Sequence, residues 1–134
     1  MSMNMFYVGA GAGTVLFMKR GKVFYDSAST GKVMGNIVGN KLMLGAGTTS
    51  PLLNANATTA YMGASTAKVL YNIQKGVVYR GAGTANAIYT LEGNRLYEGA
   101  STAKVIMNWT GDRLGAVDLF AAIMFYETRR KAKK

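Results

Sequence analysis

Gly63-Ala-Ser-Thr-Ala-Lys-Val-Leu-Tyr-Asn-Ile73 returns thirty-six residues later as Gly99-Ala-Ser-Thr-Ala-Lys-Val-Ile-Met-Asn-Trp109. Thirty-six residues earlier it stands, worn, as Ser27-Ala-Ser-Thr-Gly-Lys-Val33. Midway between these copies lies a sister form, in Gly9-Ala-Gly11, Gly45-Ala-Gly47-Thr48 and Gly81-Ala-Gly83-Thr84. The chain is therefore built from six copies of an 18-residue unit, over 3–20, 21–38, 39–56, 57–74, 75–92 and 93–110. Odd and even copies differ, so the longer period is 36 residues. A repeat this regular restricts the chain to a ring or a stack of like supersecondary pieces.

Each unit holds two short runs rich in Val, Ile, Tyr and Phe with glycine at the breaks, which is strand chemistry. The first runs are Met5–Val8, Val23–Asp26, Lys41–Leu44, Thr59–Met62, Val77–Arg80 and Arg95–Glu98. The second are Thr14–Met18, Lys32–Val38, Pro51–Ala55, Lys68–Ile73, Asn86–Leu91 and Lys104–Trp109. An x-Gly step joins most units (Arg20-Gly21, Val38-Gly39, Lys75-Gly76, Glu92-Gly93, Thr110-Gly111) and reads as a tight hairpin turn. The Gly-Ala-Ser/Gly-Thr run makes the other reversal. The expectation is twelve short antiparallel strands in a meander.

If the turns hold two residues, one face collects Phe6, Phe24, Leu42, Val78, Leu96, Val15, Phe17, Val33, Ile37, Val69, Tyr71, Ile73, Tyr89, Leu91, Val105, Met107 and Trp109. That face is the expected core. The opposite face collects Tyr7, Tyr25, Tyr61, Tyr79, Tyr97, Lys32, Lys68, Lys104 and four asparagines, with Leu16, Leu52, Leu70, Ile88 and Ile106 among them. A slip of one residue would exchange these faces. Pro51 cannot donate to a ladder and should begin or interrupt its strand.

After Gly111 the pattern breaks. Leu114–Tyr126 carries Asp118 as its single charge, so a helix over about 113–128 is apolar nearly all round and must be enclosed. Twelve strands at ~4.8 Å spacing and ~40° tilt close at a radius of roughly 12 Å, which leaves space for a helix about 10 Å across. The expected fold is thus all-β with one C-terminal helix, a barrel closed around that helix. The alternative is an open β-hairpin solenoid capped by it. The layout, with Gly111-Asp-Arg-Leu-Gly-Ala-Val-Asp-Leu-Phe-Ala-Ala-Ile-Met-Phe125 as the inner rod, resembles the tubby C-terminal-like barrels, which include scramblase-type and LURP-one-type proteins. That resemblance covers residues 5–126 in outline, implies the barrel, and would imply a phosphoinositide-type ligand.

The chemistry left to the chain is narrow. It has no cysteine and no histidine, and only six carboxylates, which removes thiolate chemistry, the commonest general base and the commonest metal ligand. No Walker loop is present among the glycine runs. An enzyme is not expected, nor a metal or cofactor. The net charge is +10, and Arg129, Arg130, Lys131, Lys133 and Lys134 contribute half of it in a basic tail expected to be disordered. Lys32, Lys68 and Lys104 recur beside tyrosines and, with the tail, form the candidate contacts to an anionic partner: acidic lipid, nucleic acid or acidic protein. On an outward face of a closed barrel, those three lysines would point in three directions and form no single patch. A second expectation is self-association through the Tyr/Leu outer face. Met1–Met18 lacks the features of a signal peptide, and a cytoplasmic protein is expected.

Overall fold

The computed structural model describes residues 3–132, and side chains through Arg129. Twelve strands follow one another as β1 (Met3–Val8), β2 (Val15–Arg20), β3 (Val23–Tyr25), β4 (Val33–Val38), β5 (Lys41–Leu44) and β6 (Pro51–Ala55). The second half repeats the arrangement with β7 (Thr59–Met62), β8 (Val69–Gln74), β9 (Val77–Arg80), β10 (Ala87–Glu92), β11 (Arg95–Glu98) and β12 (Val105–Gly111). Each strand pairs antiparallel with its sequence neighbours, and β12 pairs β1, so the sheet closes into a barrel. An unclosed stack of hairpins is thereby excluded. Closure also leaves no strand edge open to pairing with another chain.

The helix α1 (Ala116–Ala132) runs up the middle. Phe120, Ala121, Ala122 and Ile123 are wholly buried, and Phe125 is 7% exposed, so the rod is enclosed and is not an end cap. It begins later and runs further than the sequence pattern suggests. Arg129, Arg130 and Lys131 belong to its last turns and not to a separate tail, while Lys133 and Lys134 lie outside the described residues. Cations there suit the negative end of the helix dipole.

The two ends of the barrel differ. At the hairpin end, Arg20 pairs Val23, Val38 pairs Lys41 and Glu92 pairs Arg95, so these turns hold two residues as expected. The glycine is their first residue, at φ near +60°, and the turn is Gly-x in place of x-Gly. Gly111 makes no turn at all. It lies opposite Asn4 in the closing seam at φ 95°, where an added Cβ would stand 1.8 Å from the Met3 carbonyl oxygen. At the other end, six longer loops over 9–14, 26–32, 45–50, 63–68, 81–86 and 99–104 connect the strands within each unit.

Every unit carries one β-bulge, at the same place. Phe6 pairs Phe17 and Tyr7 pairs Val15, so Leu16 is skipped. Met34, Leu52, Leu70, Ile88 and Ile106 are skipped in the same way. The extra residue turns its side chain to the core: Leu16 and Ile106 are in it, and the other four pack against it. This corrects the expected faces. Leu16, Leu52, Leu70, Ile88 and Ile106 leave the outer face, while Val15, Val33, Val69 and Val105 now oppose Tyr7, Tyr25, Tyr61 and Tyr97 and are only half-buried.

Below the bulge the expected core holds. Phe6, Phe17, Phe24, Leu42, Val78, Leu96 and Met107 are fully buried. Phe125 of the helix meets Phe17 and Phe24 with ring centroids 6.1 and 5.3 Å away, and Phe120 stacks on Tyr71 at 6.2 Å. Gly35 makes that seating possible, since a Cβ there would lie 2.7 Å from the Met43 carbonyl oxygen and 2.9 Å from the Phe125 ring. Pro51 opens β6, the one strand position where its missing N–H costs little.

Outside the barrel, a second 18-residue ladder ties unit to unit. The Asn36 amide donates to the carbonyls of Gly45 and Gly47, both at 2.8 Å. Asn54 and Asn72 do the same for the next two loops, Thr90 holds Gly99, and Asn108 reaches Gly9 and Gly11 across the closure. Five of the six long loops, all but the one after β3, where Met18 holds the equivalent position, are thereby tied to the second strand of the neighbouring unit.

Candidate functional site

The loop end of the barrel gathers the chain's polar chemistry. The first strand of a unit ends at Val8, Leu44, Met62, Arg80 or Glu98, and the equivalent position in the second unit is Asp26, one residue past β3. Two residues earlier stand the inward-pointing Phe6 and its equivalents, so this position also faces the barrel axis. The side chains show it directly: Asp26 receives Arg129 of the helix, and Arg80 meets Glu127 at 2.5 Å.

Glu127 is the hub of that mouth. Besides Arg80 it accepts the hydroxyls of Tyr71 at 2.5 Å and Tyr89 at 2.8 Å. Burial alone would raise its carboxyl, but the hydrogen bonds from Arg80, Tyr71 and Tyr89 and the Arg80 charge together bring it below the usual carboxylate range. Tyr71 and Tyr89 are both pushed well above the ordinary phenol range, first by burial and then by the Glu127 carboxylate they donate to. The arrangement anchors the helix to three successive strands. Near neutrality it holds the carboxylate charged and the two phenols neutral.

The bulge moves the repeated lysines to this mouth. Asp26 donates its backbone N–H to the Lys32 carbonyl, and Met62 and Glu98 do the same to Lys68 and Lys104. Lys32 thus stands beside Asp26 on the axial side, with Nζ 3.7 Å from its carboxylate. Lys68 and Lys104 occupy the equivalent places beside Met62 and Glu98, and all three are exposed. Lys32 therefore reaches the carboxylate that Arg129 of the helix also meets and does not lie along the outer wall, and the backbone bonds put Lys68 and Lys104 at the same end of the barrel. The three lysine backbones stand at one opening, where Arg129 of the helix meets Asp26 on the wall.

Of the five large hydrophobic residues exposed among the described residues, three share that rim: Val8 at 44%, Leu44 at 56% and Met62 at 47%. Met3 and Val38 are at the hairpin end, on strands that are not neighbours. Leu44 and Met62 belong to successive units, roughly 12 Å apart along a rim of this size.

A six-unit ring with an odd rod at its centre is the deciding observation. A family model described as 6-fold beta flower protein matches residues 7–124. This chain belongs to that family. No curated protein and no solved structure matches the beta flower chain at a significant level. Its likeness to tubby C-terminal-like barrels extends to architecture alone, a closed twelve-strand barrel around a C-terminal helix.

Sequence reasoning missed the Glu127 hub. The signal was available, since Tyr71 and Tyr89 fall on the inner face at equivalent positions of successive units and two buried hydroxyls require an acceptor. Asp118, the odd charge in the apolar helix, is explained at the opposite end. It caps its own helix by accepting the Gly115 N–H at 3.3 Å and lies 3.8 Å from the buried ammonium of Lys19. The outer face proposed for self-association keeps Tyr7, Tyr25, Tyr61 and Tyr79 half-buried, but Tyr97 is buried and the Leu and Ile side chains have gone to the core at the bulges.

Proposed function

We propose that this beta flower protein is a non-enzymatic binding module that seats the loop end of its barrel on an anionic lipid surface. One observation carries the reading: Lys32, Lys68 and Lys104 share a rim with exposed Val8, Leu44 and Met62, around the cationic end of the helix. Each lysine near an anionic bilayer is worth about 1 kcal/mol, and apolar side chains entering the headgroup boundary add to it. Aliphatic side chains interleaved with lysines suit lipid better than nucleic acid, whose bases are met by aromatic platforms. Among the described residues no helix is long and apolar enough to cross a membrane, so the helix serves the core and the rim makes the contact. A cytoplasmic setting, where the leaflet is anionic, goes with this reading.

Flotation with phosphatidylserine vesicles tests it. Binding should weaken with salt, fall about a hundredfold in a Lys32→Gln, Lys68→Gln, Lys104→Gln variant, and fall again in a Leu44→Ser, Met62→Ser variant. Lys22→Gln with Lys75→Gln, at the hairpin end, should leave it unchanged. Binding that ignores Leu44 and Met62 but is shared with duplex DNA would replace lipid by nucleic acid. Binding that follows Lys22 and Lys75 would move the site to the wrong end and end the proposal.

A further inference from the structure

The hairpin end contains a recess of about 540 Å³ that no step of the lipid reading uses. It lies where the chain leaves β12, crosses the barrel mouth and enters the helix. Its deep walls are Leu91, Trp109, Leu114 and Leu119, of which Trp109 and Leu119 are almost wholly buried. Asp112 and Arg113 stand at its lip. These two neighbours carry opposite charges, yet they do not pair with each other. Neither side chain has a partner among the described residues. At the same lip the Asn94 amide nitrogen is committed to the Trp109 carbonyl at 2.6 Å, which leaves its side-chain oxygen as an acceptor.

A cavity of this size with apolar walls and a few polar groups at one edge has the make-up of a small-molecule site. The polar groups specify the ligand. Arg113 offers a planar fork that matches a carboxylate, and Asp112 with the Asn94 oxygen offers acceptors for an ammonium. Simple fatty anions would meet the Asp112 charge, and simple amines would meet Arg113. A molecule bearing both charges at one end and a hydrocarbon at the other satisfies each group. We propose that this recess binds a small zwitterionic amphiphile, an apolar α-amino acid being the minimal case. Its carboxylate faces Arg113, its ammonium faces Asp112 and Asn94, and its side chain lies among the leucines and Trp109.

The chain supplies its own reporter, because Trp109 is its one tryptophan. Titrating the intact protein with leucine should change Trp109 emission along a saturating curve. Leucinamide, which lacks the carboxylate, and N-acetylleucine, which lacks the ammonium, should each bind at least tenfold more weakly. Arg113→Gln should erase the difference between leucine and leucinamide, and Asp112→Asn the difference between leucine and N-acetylleucine. Both residues are exposed, and the structural bond at this place, from Asn4 to Asp112, uses a backbone carbonyl that neither change touches. Equal responses to leucine, leucinamide, N-acetylleucine and 3-methylbutanol would overturn the proposal, as would no response to leucine up to its solubility limit.

Discussion

At the scale of single residues, the side chains that tie the ring together are small amides. Asn36, Asn54, Asn72 and Asn108 each satisfy two loop carbonyls with one amide. Three of them join consecutive units, but Asn108 bonds residues 9 and 11 at the far end of the chain, and so acts on closure itself. Asn108→Ala removes two hydrogen bonds at about 1 kcal/mol each and should lower stability by roughly 2 kcal/mol in urea titrations. Asn36→Ala should cost about the same at equilibrium. The two should separate in kinetics: loss of the Asn108 clamp loosens the long-range β1–β12 seam and should speed unfolding more. Equal unfolding rates would show that the seam is no weaker than any other junction.

At the scale of the strand and the helix, much of the fold was legible and one feature was not. The period of 18, the glycine breaks and the apolar rod dictated twelve strands and a buried helix, because each of these is a statement about spacing. The bulge is a statement about pairing, and a single strand read alone does not reveal that its partner skips a residue. Strict alternation therefore carried Phe17, Tyr71 and Met107 to the correct side, then misplaced what came before the bulge: Val69 went inward and Lys68 outward. The site was hidden by the same slip, since its lysines precede the bulge and its apolar neighbours belong to the other strand. One clue existed, an apolar residue at 16, 34, 52, 70, 88 and 106 on a face otherwise polar in five units. Deleting Leu70 tests what that extra residue contributes. The deletion removes a partly buried leucine from the edge of the core while regular pairing keeps Val69 opposite Tyr61, so a loss of about 2 kcal/mol or more is expected from packing alone. A loss of less than about 1 kcal/mol, read from chemical denaturation, would mean that the bulge is dispensable.

At the scale of the whole molecule, stability should follow the ionisation of the loop-end mouth. Glu127 has a lowered pKa in the folded chain, so its contribution is present above the unfolded value of about 4.3 and is lost as pH falls through the folded one. Tyr71 and Tyr89 have raised values, so theirs is intact below about 10 and is lost as pH rises through the folded ones. With no histidine in the chain, the melting temperature should be nearly flat from about pH 5 to 9 and drop on either side. Glu127→Gln should lower the plateau and blunt the acid limb, and Tyr71→Phe with Tyr89→Phe should blunt the alkaline one. An acid limb unchanged by Glu127→Gln would assign it to other carboxylates.

Six nearly equal walls surround one rod that has no such symmetry, and by shape alone the rod could be turned to any of six orientations. The contacts of Lys19 with Asp118, of Arg80, Tyr71 and Tyr89 with Glu127, and of Asp26 with Arg129 break that degeneracy, like teeth cut on a key. Positions 18 residues apart are consequently interchangeable in backbone geometry and unequal in energy, and exchanging whole units would leave the socket intact while re-cutting the lock.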